Sequence, residues 1–166
     1  MMRVTARTRS ITWEDPTIAL ESSAGMSGLE FIQAIFSGKL PAPPITATMG
    51  FSAGTAEEGR ATFFAEAGEH VYNPIGVVHG GFAMTILDSA MGCAVHTTLA
   101  ADEAYTTLET KVNFVRPITL ETGRLRCEGV VLHRGGKVAT AEGRLVAERT
   151  GKLLAHGTST CLVFKR

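Results

Sequence analysis

The residues with the clearest capacity for chemistry lie at the start and in the middle of one apolar segment. His79-Gly80-Gly81 opens the segment, and Asp88 follows eight residues after Gly80. Two glycines leave the backbone N–H groups of a helix N-terminus open to a ligand, and the helix dipole adds positive potential there. Such amides can stabilise a negatively charged carbonyl oxygen. Asp88 is costly to bury unless it is paired, so it is either held by neighbouring hydroxyls or used in chemistry.

The segment from Phe82 to Leu99 is apolar on almost every side, which predicts a buried helix. At about 1.5 Å per residue, Gly80 and Asp88 are separated by about 12 Å along it. One carbonyl group cannot contact both residues. If both serve one reaction, Asp88 must come from a second copy of the chain. Two antiparallel helices related by a two-fold axis would then form two shared sites.

Composition excludes several classes of protein. The chain has 166 residues, of which 45% are apolar, and it carries no formal net charge. These values indicate one domain and argue against a nucleic-acid-binding protein. An apolar run long enough to span a membrane is lacking. The three cysteines, Cys93, Cys127 and Cys161, are far apart and odd in number, so we expect no metal site, no disulfide framework and a reducing, cytoplasmic location.

The order of predicted elements indicates an α+β fold. Apolar spacing predicts one short helix after Ser27, and the proline-rich stretch at 40–44 is typical of an extended connector. Residues 1–44 are therefore interpreted as an extension with one short helix, and residues 45–166 as the main domain. Strands are predicted at 45–53, 60–67, 106–116, 123–132, 138–148 and 153–164. Most of them follow the long helix, which predicts an antiparallel sheet wrapped around a central helix.

Two segments of the chain resemble the hot-dog-fold thioesterases of the PaaI-like group. The first runs from Asn73 through His79-Gly80-Gly81 to Leu87-Asp88, and the second is the strand at 106–117. The resemblance covers roughly residues 45–164. It implies the hot-dog fold and hydrolysis of a small or medium acyl-CoA thioester, with aryl-acyl groups among the candidates. Coenzyme A would be part of the substrate, and no separate cofactor is implied.

The resemblance also implies a role for each site residue. The Gly80 amide would polarise the thioester carbonyl, and Asn73 and His79 would shape that end of the site. Asp88 of the partner subunit would activate water as a general base or attack the carbonyl directly. His79 as a base is a second reading of that residue. The assembly implied is a homodimer with shared sites, or a dimer of two such dimers.

The remaining assignments concern a hydroxyl and the coenzyme. Alignment of the strand to Pro117 points to Thr107 as the group that orients the water, whereas strand alternation places Thr106 on the apolar face. Phosphate groups of coenzyme A need cationic partners at strand ends. The candidates for substrate binding are Gly81, Arg116, Arg134 and Lys137.

The predicted site residues suffice for thioester hydrolysis, and two alternative functions stay open. A thiol with a pKa near about 8.5 leaves with little acid assistance, so one carboxylate and a polarised carbonyl suffice. The sequence contains no G-x-S-x-G or H-E-x-x-H motif that would indicate a serine hydrolase or a zinc peptidase. The first alternative is a hot-dog enoyl-CoA hydratase, although that family pairs its Asp with a nearby downstream His. The second is an acyl-CoA-binding module without catalysis.

Overall fold

The predicted central helix runs from Gly80 to His96 in the computed structural model, which describes residues 5–166. The helices in chain order are α1 (Pro16–Ser22), α2 (Gly28–Phe36), α3 (Pro44–Met49) and α4 (Gly80–His96). The strands are β1 (Phe51–Glu57), β2 (Arg60–Glu66), β3 (Glu103–Phe114), β4 (Arg124–Arg134), β5 (Val138–Ala147) and β6 (Leu153–Lys165). They form one antiparallel sheet in the order β1-β2-β4-β5-β6-β3.

The helix α4 packs against the sheet, whose centre allows the helix to come close. Phe82, Ile86 and Met91 of α4 are almost completely buried against it. A Cβ at Gly129 would lie 2.2 Å from the backbone oxygen of Ala90, so only glycine permits this contact. The predicted α+β architecture, an antiparallel sheet around a long central helix, is therefore confirmed.

The N-terminal region differs from the prediction in two ways. Besides α2, whose start is fixed by a reciprocal Ser27–Glu30 cap, residues 5–44 contain α1, so one predicted helix becomes two. The predicted strand at 45–53 is wrong over its first half, since α3 occupies that stretch. Pro44 presets the helical φ at the first turn, and Gly50, at a φ of 80°, ends the helix before β1 begins. Residues 1–4 of the predicted extension lie outside the described residues, and the boundary at residue 44 stays a prediction.

The strand β3 lies at one edge of the sheet. Its twelve residues pair with β6 on one side, and no other strand of the described chain pairs with its outer edge. The β3–β6 register shifts between Thr107 and Glu109, which makes Leu108 the extra residue of a β-bulge. The outer edge of β3 is therefore unpaired in the described chain, and the bulge changes which of its side chains face α4.

Residues 5–166 include no helix long and apolar enough to cross a membrane. Within the same range, no group of three or more His, Cys, Asp or Glu side chains is arranged to hold a metal ion. All three cysteines are free; Cys127 and Cys161 are buried, and Cys93 is half-buried on α4.

Candidate active site

The loop before α4 is organised by the side chain of Asn73. Its Oδ1 accepts hydrogen bonds from the N–H groups of Ile75 (3.1 Å) and Val77 (3.2 Å). The backbone N–H of Asn73 donates in turn to the carbonyl oxygen of Val77 at 2.8 Å. These bonds leave the side-chain NH₂ of Asn73 without an acceptor in the described part of the chain. Asn73 thus both shapes the loop and keeps two donors for a ligand.

At the first turn of α4, the amides of Gly80 and Gly81 differ in their availability. His79 is the N-cap residue, and its Nδ1 accepts from the Gly81 N–H at 2.8 Å. The Phe82 N–H donates to the His79 carbonyl at 3.0 Å, whereas no acceptor within residues 5–166 takes the Gly80 N–H. Gly80 therefore offers the free amide of this turn. Nδ1 of His79 is occupied as an acceptor, which favours the local hydrogen-bonding interpretation of this residue over a base.

The free amide of Gly80 borders a cavity of about 450 Å³. Four residues predicted from the sequence line it, namely Asn73, His79, Gly80 and Arg116. The ring of Phe114 also lines it, and a Cβ built on Gly80 would lie 3.0 Å from that ring. Arg116 donates to the carbonyl of Leu153 at 2.7 Å, which holds its exposed guanidinium at the rim. The structure thus brings the donor end of the predicted site together in one place.

Asp88 lies apart from this cavity, in the middle of α4. Its Oδ1 accepts a hydrogen bond from Thr110 Oγ1 at 3.1 Å, and Ser159 Oγ lies 3.3 Å behind Thr110. Oδ2 of Asp88 has no hydrogen-bond partner in the described chain, and the residue is half-buried. The carboxylate is therefore held through one oxygen, and the other oxygen is available to a group outside this chain.

The hydroxyl that contacts Asp88 within the described chain is that of Thr110, and the role of Thr107 in orienting the water stays a prediction. Thr107 pairs with Cys161 on β6 and contacts its thiol, whereas Thr110 pairs with Ser159. Because the bulge inserts Leu108, both threonines face α4, although they are three positions apart. Thr106 is exposed on the opposite face, so the alternation argument for it is wrong. Leu108, the extra residue of the bulge, is 60% exposed.

Three residues predicted to bind substrate, Gly81, Arg134 and Lys137, offer no free polar group at the cavity of Gly80. The Gly81 N–H is taken by His79. Arg134 forms an ion pair with Glu103 at 2.7 Å, at the opposite end of β3 from Phe114. An N–H from Ala100 and then Arg134 hold the pKa of the Glu103 carboxyl below its usual value. Lys137 is exposed in the turn before β5.

Two other titratable groups on α4 are kept uncharged. Burial, and secondarily the charge of Arg166, lowers the pKa of His96 to about 4, and its ring packs against Phe31 and Tyr105. His96 is therefore uncharged at neutral pH, and its ring serves in packing. Burial, and then the charge of Asp88, raises the pKa of the Cys93 thiol to about 12. Cys93 is therefore a thiol at neutral pH and not a nucleophile.

Comparisons with known proteins agree on one family. A sequence profile of the thioesterase superfamily matches residues 75–154. A 1,4-dihydroxy-2-naphthoyl-CoA hydrolase of Listeria monocytogenes is 26% identical over 119 residues, which cover 72% of this chain and 94% of that protein. The structure of a phenylacetic acid degradation-related protein from Ralstonia eutropha JMP134 is 29% identical, with a TM-score of 0.70 over 78% of this chain and 97% of that one. A mutant of the phenylacetic acid degradation protein PaaI from Thermus thermophilus is 26% identical, with a TM-score of 0.65 over 72% and 98% of the two chains.

Proposed function

We propose that this chain, which has the hot-dog fold of the thioesterases it resembles, is a member of the thioesterase superfamily and hydrolyses small or medium acyl-CoA thioesters to the free acid and CoA. The observation that carries the proposal is the unpartnered Gly80 amide at the edge of a cavity of about 450 Å³. A thioester whose carbonyl oxygen accepts from this amide has its carbonyl carbon polarised for attack. The dipole of α4 favours the negative charge that develops on the oxygen in the tetrahedral intermediate.

The nucleophilic half of the reaction requires a second copy of the chain. Gly80 and Asp88 lie eight residues apart on one helix, or about 12 Å along its axis. A two-fold axis that places two α4 helices antiparallel brings Gly80 of one copy opposite Asp88 of the other. The open edge of β3, with exposed Leu108 and Phe114, supports such pairing, because a long unpaired strand edge is a template for another strand.

In this arrangement Asp88 of the partner subunit acts as the general base. Its free Oδ2 takes a proton from water, and the hydroxide oxygen bonds to the thioester carbonyl carbon. Thr110 fixes the orientation of the carboxylate through Oδ1. Collapse of the intermediate breaks the C–S bond and releases the CoA thiolate, which needs little acid assistance because its thiol has a pKa near about 8.5. Arg116 at the rim is the residue of this chain best placed to meet a phosphate of the coenzyme.

Thiol release from a panel of acyl-CoA esters tests the proposed activity. The wild type should release CoA from at least one ester, and Asp88→Ala should not. A wild type that binds the esters and never releases thiol would support the acyl-CoA-binding alternative. Loss or gain of enoyl absorbance, followed in parallel, reports on the hydratase alternative.

Mixed dimers test whether the sites are shared. Asp88→Asn and Gly80→Val chains are each expected to be inactive alone. Random mixing should restore about a quarter of the wild-type activity, since about half of the dimers are mixed and each has one intact site. No recovery in verified mixed dimers would show that each chain forms its own site.

Single turnover in ¹⁸O-labelled water separates the two possible roles of Asp88. A general base delivers the labelled oxygen to the product acid in the first turnover. A carboxylate that attacks the carbonyl itself would give product without label in that turnover, when water then opens the anhydride at the Asp88 carbon.

A further inference from the structure

A second cavity, separate from that at Gly80, lies between the N-terminal helices and the sheet and has a volume of about 420 Å³. Hydrocarbon side chains form most of its wall, among them Leu20, Phe31, Ile35, Phe36, Phe51 and Phe63. Thr46 and Ser52 supply the only hydroxyl groups, and none of the charged side chains in residues 5–166 lines it. A cavity of this composition receives an apolar ligand and offers nothing to a charged one.

Cys93 connects this cavity to the carboxylate. It lines the cavity from α4 and follows Asp88 by five residues. On a regular helix this places the two side chains about 7.5 Å apart along the axis and about 140° apart around it. Ser89, which is half-buried, lies between them on the same side of α4. An acyl chain whose carbonyl lies beside Asp88 would pass Ser89 to reach the cavity.

We propose that this apolar cavity binds the hydrocarbon tail of the substrate, so that the preferred acyl group is an aliphatic chain of about 10 to 14 carbons. The inference rests on the proposed thioesterase function and specifies its substrate class. The cavity that binds the tail belongs to the same chain as the Asp88 that acts on the ester. The cavity at Gly80, from the other chain, is left for the coenzyme side of the bond.

The size of the cavity sets the length of the chain. An engineered protein cavity of about 150 Å³ accepts one benzene molecule, or about 25 Å³ per carbon. On that scale 420 Å³ holds about 17 carbons if completely filled. A phenylacetyl group would leave more than half of the space empty. A medium aliphatic chain fills most of it, and its first carbons occupy the path past Ser89.

The uncharged thiol of Cys93 is compatible with a hydrocarbon tail in this cavity. The raised pKa of its thiol keeps the sulfur uncharged at neutral pH, where it behaves as a small apolar group. The cavity wall formed by α1 is also loosely attached. Leu20 lines the cavity and is nevertheless 66% exposed, and α1 contains no buried residue. The outer wall of the cavity can therefore yield to a tail without disturbing the core around α4.

The test is the dependence of kcat/KM on acyl length, measured from C2 to C16 for four proteins. Two variants fill the cavity from different elements, Cys93→Phe from α4 and Ala53→Phe from β1. The matched control is Ala24→Phe, the same kind of change at an exposed residue outside the cavity. For wild type and control, each added methylene should raise kcat/KM by up to about fourfold until about 10 to 14 carbons. Both filling variants should lose at least about tenfold on dodecanoyl-CoA and change less than about threefold on butanoyl-CoA.

Binding of a non-hydrolysable dodecyl-CoA thioether, measured by calorimetry, separates the two proposals. Tight binding that both filling variants weaken at least about tenfold supports the tail site even if no ester is hydrolysed, and in that case the proposed function alone fails. A flat chain-length profile, or equal losses on short and long esters in both filling variants, overturns the tail site while leaving hydrolysis intact. Circular dichroism identifies any variant that fails to fold. If one filling variant is misfolded, the chain-length profile of the other decides whether the tail binds in this cavity.

Discussion

The N-terminus of α4 and its middle differ in which atoms supply the polar groups. At the N-terminus the donor is the backbone amide of Gly80. The His79 side chain caps the neighbouring Gly81 amide and leaves that of Gly80 free. In the middle, the polar group is the side chain of Asp88, oriented by a threonine 22 residues later on β3. A local turn thus makes the Gly80 amide available, whereas the position of the Asp88 carboxylate depends on the register of a distant strand. A single substitution can delete a carboxylate, but it can only displace an amide, so the two regions should respond differently to mutation.

Asp88→Asn should have the largest effect. The amide keeps the shape of the side chain and the acceptor for Thr110 but removes the base, so kcat should fall by about 10²- to 10⁴-fold with KM little changed. Steady-state thiol release measures both constants. Asp102→Asn, which removes an exposed carboxylate paired with Lys165, is the matched control and should leave kcat unchanged. Retention of wild-type kcat by Asp88→Asn would remove the carboxylate from the mechanism.

Gly80→Ala should reduce activity without reducing stability. The added Cβ meets the Phe114 ring at 3.0 Å, so the ring shifts into the cavity and the carbonyl is held away from the amide. We expect kcat/KM to fall by about 10- to 100-fold, less than the loss of a whole oxyanion donor. Alanine favours the helix over glycine, so thermal unfolding should show no destabilisation.

Gly136→Ala is the matched control, because a Cβ there has no atom within 4 Å. Adding Phe114→Leu to Gly80→Ala should recover part of the activity by making room for the new methyl group. Equal activity of Gly80→Ala and wild type would show that the substrate does not approach this amide.

Thr110→Val should have a smaller effect at the other half of the site. Valine keeps the volume but leaves Asp88 Oδ1 without its donor, so kcat should fall about tenfold, the scale of one hydrogen bond to a charged group. Thr110→Ser should retain most of the activity. Thr107→Val tests the original assignment at the other inward threonine, and a larger loss there than at Thr110 would contradict the contacts of the bulged strand.

His79→Ala should have the smallest effect, mainly on stability. It removes the acceptor for the Gly81 N–H, which costs about 1 kcal/mol for an N-cap. For a chain of this size, Tm should fall by about 2–4 °C in a thermal melt. His79→Asn restores a capping acceptor and should recover most of the loss. If His79→Asn and His79→Ala both abolish turnover while the fold is intact, His79 has a chemical role beyond the cap.

Local patterns explain which parts of the structure were predictable. The all-round apolar character of residues 82–99 located α4, and the β2, β4, β5 and β6 strands follow from alternation and turn residues. Asn73, His79 and Gly80 were found because they are close in sequence and serve one turn. The prediction of a strand at 45–53 is wrong over its first half because Pro44 and Gly50, which flank the Ile and Thr residues there, start and end a short helix.

Features that depend on distant contacts were missed. The bulge at Leu108 alters which β3 residues face α4, and nothing local to Thr107 or Thr110 specifies it. The apolar cavity behind Cys93 arises only when three separate helices pack over the sheet. The ion pair that occupies Arg134 joins residues 31 positions apart. Such contacts require the assembled chain, because composition and spacing describe only neighbours in sequence.

The loose attachment of α1 has a kinetic consequence. A helix with no buried residue detaches by local opening at a small fraction of the free energy of global unfolding, so its amides should exchange with deuterium far faster than those of α4. A long product acid held behind α1 would be released at the rate of that opening. For the longest chains, kcat should then reach a plateau while affinity continues to rise, so that departure of the acid, and not cleavage of the ester, limits the rate.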